Sequence, residues 1–130
     1  MESEPAFLSI RQVEELHEAS LQAYGGTSGC RDVGLVESAL GAAQSTYFYG
    51  DGDVFDIAAS YAFHIGQAQA FLDGNKRTAI ATALVFLAGN GFAARPTEQF
   101  MKHLYDGMIA IAERRLDKPG FAQILRSYWS

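Results

Sequence analysis

The strongest structural signal in the chain lies in the stretch QAQAFLDGNKRTAIATALVFLAGNG, residues 67–91. Its second half is apolar on nearly every side from Ile80 to Leu87, which is typical of a helix at the centre of a bundle. The GNG sequence at 89–91 is a C-terminal stop signal for that helix. The pentad Asp73–Arg77 places an acid, a glycine, an amide and two cations where the helix starts. Such residues do not belong in a hydrophobic core, so the pentad is the first candidate for a functional site.

The rest of the chain is predicted to be helical, with local signals at the helix starts. These signals are the capping box Ser9–Gln12, the caps Asp32 and Asp53, the pair Pro96-Thr97, and Pro119. The central helix is predicted from about Asn75 to Ala88. Strand-like sequence is limited to a possible extended pair at residues 7–8 and 47–49. We therefore predict an all-α fold of about six helices, a single domain over residues 1–130 with at most a short extended flap.

Composition excludes several classes of protein. Apolar residues make up 48% of the chain and charged residues 19%, as in a globular domain. The net charge of −5 argues against a nonspecific nucleic-acid binder. Cys30 is the single cysteine, which excludes an internal disulfide framework and a zinc cluster of cysteines. The N-terminus MESEPAFLSI does not resemble a signal peptide, and no apolar run reaches the roughly 18 residues of a membrane span. We expect a soluble, cytoplasmic protein that binds neither nucleic acid nor membranes.

The pentad has the composition of an anion site. A helix that begins near Asn75 directs its free backbone N–H groups and the positive end of its dipole at whatever precedes it. Gly74 permits close approach, Asn75 adds an amide donor, and Lys76 and Arg77 supply charges suited to phosphate oxygens. Asp73 can hold magnesium, so a di- or triphosphate is the expected ligand. The alternative is a plain interhelical turn, which explains the glycine and the asparagine but not two cations at a helix N-terminus.

The segment AFLDGNKRTA, residues 70–79, resembles the signature of the Fic/Doc (Fido) family, in which H-x-F-x-[DE]-G-N-x-R joins two central helices. Three further segments resemble the death-on-curing (Doc) branch: YGGTSGCRDVGLVESAL, VFDIAASYAFHI and ALVFLAGNGF. The resemblance runs from about Phe7 to Ala112 and implies the Fido helical bundle.

The resemblance implies a role for each matching residue. Phe71 would be the buried anchor of the loop, and Asp73 would bind Mg²⁺. The backbone from Gly74, together with Asn75, would cradle the phosphates of ATP. Arg77 would clamp the terminal phosphates.

Two further positions indicate the type of reaction and its control. Lys76 stands where AMP-transferring Fic enzymes have a second glycine. In the Doc branch, lysine there implies a reversed nucleotide and phosphorylation of a protein hydroxyl, usually a threonine of elongation factor Tu, which halts translation. Ile80 occupies the place of the second arginine of Fic enzymes. The glutamate-based autoinhibition of those enzymes therefore has no obvious receiver here. The Doc branch instead implies inhibition by a separate small antitoxin of the prevent-host-death kind, in a type II toxin–antitoxin pair.

One motif residue is missing, because Gln69 stands in the place of the family's histidine and Ala70 in that of the proline after it. The histidine takes the proton of the target hydroxyl, and glutamine cannot act as a base. A general base contributes typically 10²- to 10⁴-fold to a rate. Phosphoryl transfer depends mainly on positioning and charge neutralisation, which Asp73, Lys76 and Arg77 would retain. We therefore expect nucleotide binding with impaired turnover, in which Gln69 can still orient a hydroxyl.

Several alternatives stay open. His64 lies about 140° around its helix from Gln69 and is expected at the core or its rim, whereas His17 and His103 fall on other helices. The segment STYFYGDGDVF is either a flap that docks the target or aromatic packing, and FAQILRSYW is either core closure or a partner site.

Three functions remain: a Doc-like kinase toxin, a catalytically silent Fido module that binds a nucleotide or partner, and an AMP transferase.

Overall fold

The computed structural model describes residues 4–130 and contains six α-helices. They are α1 (Ile10–Tyr24), α2 (Val33–Phe48), α3 (Val54–Ala68), α4 (Asn75–Gly89), α5 (Glu98–Ala112) and α6 (Lys118–Ser127). The extended pairing in this range is one isolated bridge, between Cys30 and Phe71. The predicted all-α fold of about six helices is confirmed; the first three residues of the predicted domain lie outside the described range. No helix from residue 4 onward has both the length and the apolar character needed to cross a membrane.

Five of the six helices begin with a side-chain cap. The capping residues are Ser9, Asp32, Asp53, Thr97 and Asp117. Each accepts a hydrogen bond from a backbone N–H of the first turn and so satisfies one of the groups that the helix itself leaves without a partner. At the start of α4 stands Gly74 instead, in the left-handed region at φ +78° and with no side chain to cap the helix. The first backbone N–H groups of α4 are therefore left for another partner.

Helices α3 and α4 form the centre of the bundle. Helix α3 packs against α2, α4, α5 and α6, while α1 packs against α4. Several large side chains of this core are fully buried, among them Tyr61, Phe86, Leu87, Leu104, Phe121 and Leu125. Burial of a side chain of this size contributes about 1.5–3 kcal/mol. The short loop from α3 to α4 is thus anchored at both ends in the best-packed part of the molecule.

The extended pair predicted for residues 7–8 and 47–49 is wrong, because α2 continues through Phe48. Tyr47 packs edge-on against Phe7 instead, with ring centroids 5.9 Å apart. It shares a cavity with Asn90, which directly follows α4. A 15-residue helix is roughly 20 Å long, so this cavity lies that far from the first turn of α4. STYFYGDGDVF is therefore packed at the opposite end of α4 and does not cover the pentad.

The C-terminal segment FAQILRSYW closes the core. Phe121 is fully buried, and the ring of Trp129 lies 5.5 Å from that of Phe55. The guanidinium of Arg126 donates to both carboxylate oxygens of Asp53, at 3.1 and 2.8 Å, which fixes α6 to the start of α3. Core closure, one of the two interpretations of this segment, is the one the packing supports.

Candidate functional site

A cavity of about 230 Å³ lies in front of α4, where α3 and α4 meet. Its lining comprises Gly66, Gln69, Leu72, Asp73, Gly74, Asn75, Lys76, Arg77 and Tyr105. The fold therefore brings Gln69 and all five residues of the pentad to one place. Tyr105, from α5, was not predicted to belong to this site.

Gln69 is the residue that ends α3, and its backbone is held firmly. It lies in the left-handed region at φ +49° and ψ +44°, with an exposed side chain. Its carbonyl accepts a hydrogen bond of 2.8 Å from Nη2 of Arg31. The next carbonyl, of Ala70, accepts from the backbone N–H of Arg31 at 2.6 Å and of Asp32 at 3.4 Å. The α1–α2 loop thus fixes the direction in which the side chain at position 69 points.

Phe71 anchors the loop, and the burial expected for it is confirmed: its side chain is 2% exposed. On the outer side, Leu72 donates its backbone N–H to the carbonyl of Gly29 at 3.1 Å. On the inner side, the Asn75 side chain accepts from the backbone N–H of Phe71 at 3.1 Å and donates to the Phe71 carbonyl at 2.9 Å. The two bonds require oxygen and nitrogen of the amide in this orientation.

The Asn75 side chain also has a structural role in the loop, which the sequence analysis did not predict. One of its two N–H groups is bonded to the Phe71 carbonyl, and the other keeps the capacity to donate to a phosphate, as the sequence predicts. The side chain shapes the loop in the way that a neighbouring strand would. The backbone N–H of Asn75 lies at the start of α4, where no side chain caps the helix.

The carboxylate of Asp73 is held by two backbone N–H groups. Thr27, in the α1–α2 loop, donates to Oδ2 at 3.1 Å, and Gly74 donates to Oδ1 at 2.8 Å. Both hydrogen bonds lower the pKa of Asp73 below its ordinary value, and the bond from Thr27 has the larger effect. The charges of Arg77 and His17 add to this lowering. Asp73 is therefore ionised at neutral pH.

Asp73 is suited to bind Mg²⁺ when a bound phosphate compound and water supply the other metal ligands. Among the residues the structure describes, no group of three histidine, cysteine or acidic side chains could hold a metal by itself. Magnesium usually binds through one or two carboxylates and takes its other ligands from phosphates and water. Each Asp73 oxygen keeps acceptor capacity beyond its single N–H bond. The donor set is thus suitable for Mg²⁺ bound together with a polyphosphate.

The two cations of the pentad have no acidic partner of their own. Within residues 4–130, no carboxylate lies within salt-bridge distance of Lys76 or Arg77. The guanidinium of Arg77 instead lies 4.8 Å from the centre of the Tyr24 ring. Two positive side chains at the positive end of a helix dipole repel that end unless an anion is bound. This arrangement favours the anion cradle over the plain turn.

No histidine is among the residues that line the cavity. His17 is buried on α1, with Nε2 2.7 Å from the Asp73 carbonyl oxygen. His64 lies at the rim of the core, as expected, where its Nε2 accepts from Nζ of Lys118 at 3.0 Å. Partial burial and then the charge of Lys118 lower the pKa of His64. His103 is exposed on α5. No histidine of the described chain therefore stands at the cavity in place of the base that the resemblance implies.

A second, apolar cavity of about 670 Å³ adjoins the site. We call it the α1–α4–α5 groove; it is lined by Leu16, Ala19, Ser20, Ala23, Tyr24, Arg77, Ile80, Ala81, Leu84, Val85, Pro96, Met101, Lys102 and Tyr105. Arg77 and Tyr105 line both the groove and the smaller cavity. A molecule in the groove would thus touch residues of the candidate site.

Sequence reasoning missed the contribution of α1. His17, Leu21 and Tyr24 lie at positions i, i+4 and i+7, so they share one face of that helix. This face meets the pentad through the contacts of His17 with Asp73 and of Tyr24 with Arg77. The spacing could have identified the face, but nothing local indicated which segment it would meet.

The family model described as "Fic/DOC family" matches residues 7–87, more than half of the chain. The chain belongs to the Fic/DOC family. It is similar to "Protein kinase doc" of Escherichia phage P1, with 36% identity over 85 residues, which cover 65% of this chain and 68% of that protein. It is also similar to "Toxin Doc" of Mycolicibacterium smegmatis (strain ATCC 700084 / mc(2)155), with 38% identity over 80 residues, 60% of this chain and 62% of that protein.

Proposed function

We propose that this chain is a Doc-like toxin that binds Mg-ATP in front of α4 and transfers the γ-phosphoryl group to a protein hydroxyl. The main support is the uncapped start of α4, where Lys76 and Arg77 line the cavity and neither forms a salt bridge with a carboxylate of residues 4–130. Such a site is favourable for a polyphosphate, since the helix dipole and both side chains attract it. The names of the two relatives, one a protein kinase and one a toxin, agree with this function.

Each residue of the cavity has a defined task in this proposal. The backbone N–H groups from Asn75 onward and the side chains of Lys76 and Arg77 bind phosphate oxygens. Asp73 holds Mg²⁺, which when bound neutralises charge on the transferring phosphates. Gln69 accepts a hydrogen bond from the target hydroxyl and orients it. The hydroxyl oxygen bonds to the γ-phosphorus while the bond to the β–γ bridging oxygen breaks, and the hydroxyl proton passes to water. The reaction is slow because water, and not a positioned side-chain base, receives that proton.

The size of the cavity fits the phosphates better than a whole nucleotide. Its volume of about 230 Å³ is below the roughly 300–1,000 Å³ of pockets that enclose a drug-sized ligand. The triphosphate would occupy the cavity, and the nucleoside would extend past its rim. Tyr105 lines both the cavity and the groove.

Titration calorimetry with Mg-ATP tests the site. Arg77→Ala should weaken binding at least tenfold, because charge-assisted hydrogen bonds contribute about 1.5–3 kcal/mol. Arg11→Ala is the matched control, since Arg11 is an exposed arginine on the outer face of α1, paired only with Glu15. Equal and negligible heat for the wild type and for Arg77→Ala would remove the basis of the site.

AMP transfer is the alternative reaction at the same cavity. Lys76 argues against it, because its side chain crowds the space that the second glycine of AMP-transferring relatives leaves open. ATP labelled at the α or at the γ position separates the reactions on purified elongation factor Tu, the target that the resemblance implies. Label from the γ position supports the kinase, and label from the α position supports AMP transfer.

A catalytically silent module that binds a nucleotide or a partner is favoured by one observation, the glutamine at position 69 in a cavity without histidine. Binding of Mg-ATP without transfer of either label, at long incubation and high enzyme concentration, would support this function over the kinase.

A small antitoxin of the prevent-host-death kind is the proposed inhibitor, and the α1–α4–α5 groove is its binding site. The groove is apolar, and a segment that folds on binding can place an apolar face along it. Because Arg77 and Tyr105 belong to both sites, the bound segment would restrict access to the phosphate cavity. The protein would act in the cytoplasm, where its translation-factor target is found.

Co-purification with the product of the adjacent gene tests the partner. Leu84→Glu, inside the groove, should abolish the complex, whereas Leu35→Glu, an exposed leucine on α2, should leave it intact. Retention of the complex by Leu84→Glu would exclude the groove as the docking site.

A further inference from the structure

We propose that His17 is a positioning residue of the nucleotide site, an inference that rests on the proposed function. His17 lies on α1, 56 residues from the pentad in sequence, and is 5% exposed. Its Nε2 is 2.7 Å from the carbonyl oxygen of Asp73. Since a carbonyl only accepts, Nε2 carries the proton and donates it to this oxygen. The imidazole therefore binds the backbone of the residue whose carboxylate is the magnesium ligand of the proposal.

The hydrogen bond sets the orientation of one peptide group. The peptide between Asp73 and Gly74 is planar and trans, so its carbonyl and its N–H point in opposite directions. While His17 holds the carbonyl toward α1, the N–H of Gly74 points away from that helix. That N–H donates to Oδ1 of Asp73 at 2.8 Å. A single bond from His17 thus places a backbone donor that in turn fixes the carboxylate.

The ring of His17 holds the other end of the loop. It stacks on Phe71, with ring centroids 3.9 Å apart and an angle of 13° between the planes. Phe71 is the residue whose backbone N–H and carbonyl are both bonded to the Asn75 side chain. The histidine therefore contacts the loop at its buried anchor and at its acid, and so fixes the turn that precedes α4.

His17 does not act as the missing base. It is not among the residues that line the cavity, its ring is buried, and its Nε2 proton is bonded to a backbone oxygen. Its effect on the reaction passes through Asp73 and Gly74. This distinguishes it from Gln69, whose side chain is at the cavity itself.

Two variants separate the contributions of the donor and the ring. His17→Phe keeps an aromatic plane against Phe71 but has no N–H, and His17→Gln keeps an N–H donor but has no ring. We expect His17→Phe to weaken Mg-ATP binding roughly tenfold, as loss of a buried hydrogen bond predicts. His17→Gln should bind within about threefold of the wild type, because its amide can donate to the same carbonyl.

Titration calorimetry on folded protein, with thermal unfolding of each variant without nucleotide, provides the test. A merely structural role would lower the melting temperature and leave the affinity of the folded protein unchanged. If the wild type binds Mg-ATP and His17→Phe binds equally well, this inference fails and the proposed function stands. If the wild type does not bind, the proposed function fails and takes this inference with it.

If His17→Phe does not fold, NMR of the wild-type protein provides the test. The Nε2 proton of His17, protected by its hydrogen bond, should give a resolved resonance that shifts on saturation with Mg-ATP. An unchanged resonance at saturation would overturn the inference.

Discussion

Replacing Gln69 by histidine should raise phosphotransfer by about 10²-fold or more, since a positioned general base contributes at least that much. The exposed side chain at position 69 lines the cavity, so an imidazole there is beside the proposed phosphates. The backbone at this position is already left-handed, a conformation in which histidine is found more often than most residues. Folding should therefore be unaffected. A 10²-fold gain corresponds to about 2.7 kcal/mol of transition-state stabilisation.

The neighbouring proline of the family motif should contribute little here. Three hydrogen bonds from Arg31 and Asp32 already hold the carbonyls of residues 69 and 70. We therefore expect Ala70→Pro to raise the phosphotransfer rate of Gln69→His by a smaller factor than Gln69→His raises the rate of the wild type.

The assay is the initial rate of transfer from γ-labelled ATP to purified elongation factor Tu, with Gln69→Ala as the control without a base. The rate of the histidine variant should rise with pH through the imidazole pKa, ordinarily near 6.5, as the neutral ring becomes available. Expression should also become harmful unless the antitoxin is present. If neither the single nor the double variant gains activity while Mg-ATP binding is intact, the loop has lost its catalytic geometry and the silent module is the better description.

Two further predictions concern stability. Gly26→Ala should lower the free energy of unfolding in urea by about 1–3 kcal/mol, because φ is +126° and the added Cβ would lie 2.8 Å from Oδ2 of Asp73. Gly41→Ala, in α2 with open space around it, should be neutral or stabilising, and equal effects of the two changes would contradict the prediction. The depressed pKa of His64 means that the unfolded chain binds the proton more readily, so stability should fall as the pH is lowered from 7 to 5. His64→Gln keeps an acceptor for Lys118 but does not titrate, so its unfolding curves should lose that part of the dependence; an unchanged slope would show that other groups cause it.

The helices were predictable because their signals are local. Ser9 and Gln12 are three residues apart, and the capping box they form is the one that the structure contains. The contacts that build the site are different in kind, since they join segments distant in sequence. The bond from His17 to Asp73 spans 56 residues, and nothing in either segment specifies the other.

The error at residues 47–49 has a related cause. Aromatic residues favour strands, and this preference led to the extended prediction. The contact of Tyr47 with Phe7 instead stabilises a helix that continues to Phe48, so a tertiary contact overrides the local preference. The extended segment was found at Cys30 and Phe71, where the sequence contains no alternating pattern. The pentad could be proposed as a site from the sequence because its chemistry is concentrated in five consecutive positions, and the structure places all five at one cavity.

The uncapped start of α4 has a consequence for the motion of the free protein. Five helices have a side-chain cap at their N-terminus, whereas α4 has none. The first turn of α4 should therefore open more readily, with faster hydrogen exchange of its first backbone amides. A bound polyphosphate would take the place of the absent cap and slow that exchange. At a nucleotide concentration 100 times the Kd, the gain in global stability would be about 2.7 kcal/mol. Under the proposed function, the first turn of the central helix would be capped in the cell by ATP, a group that the sequence does not encode.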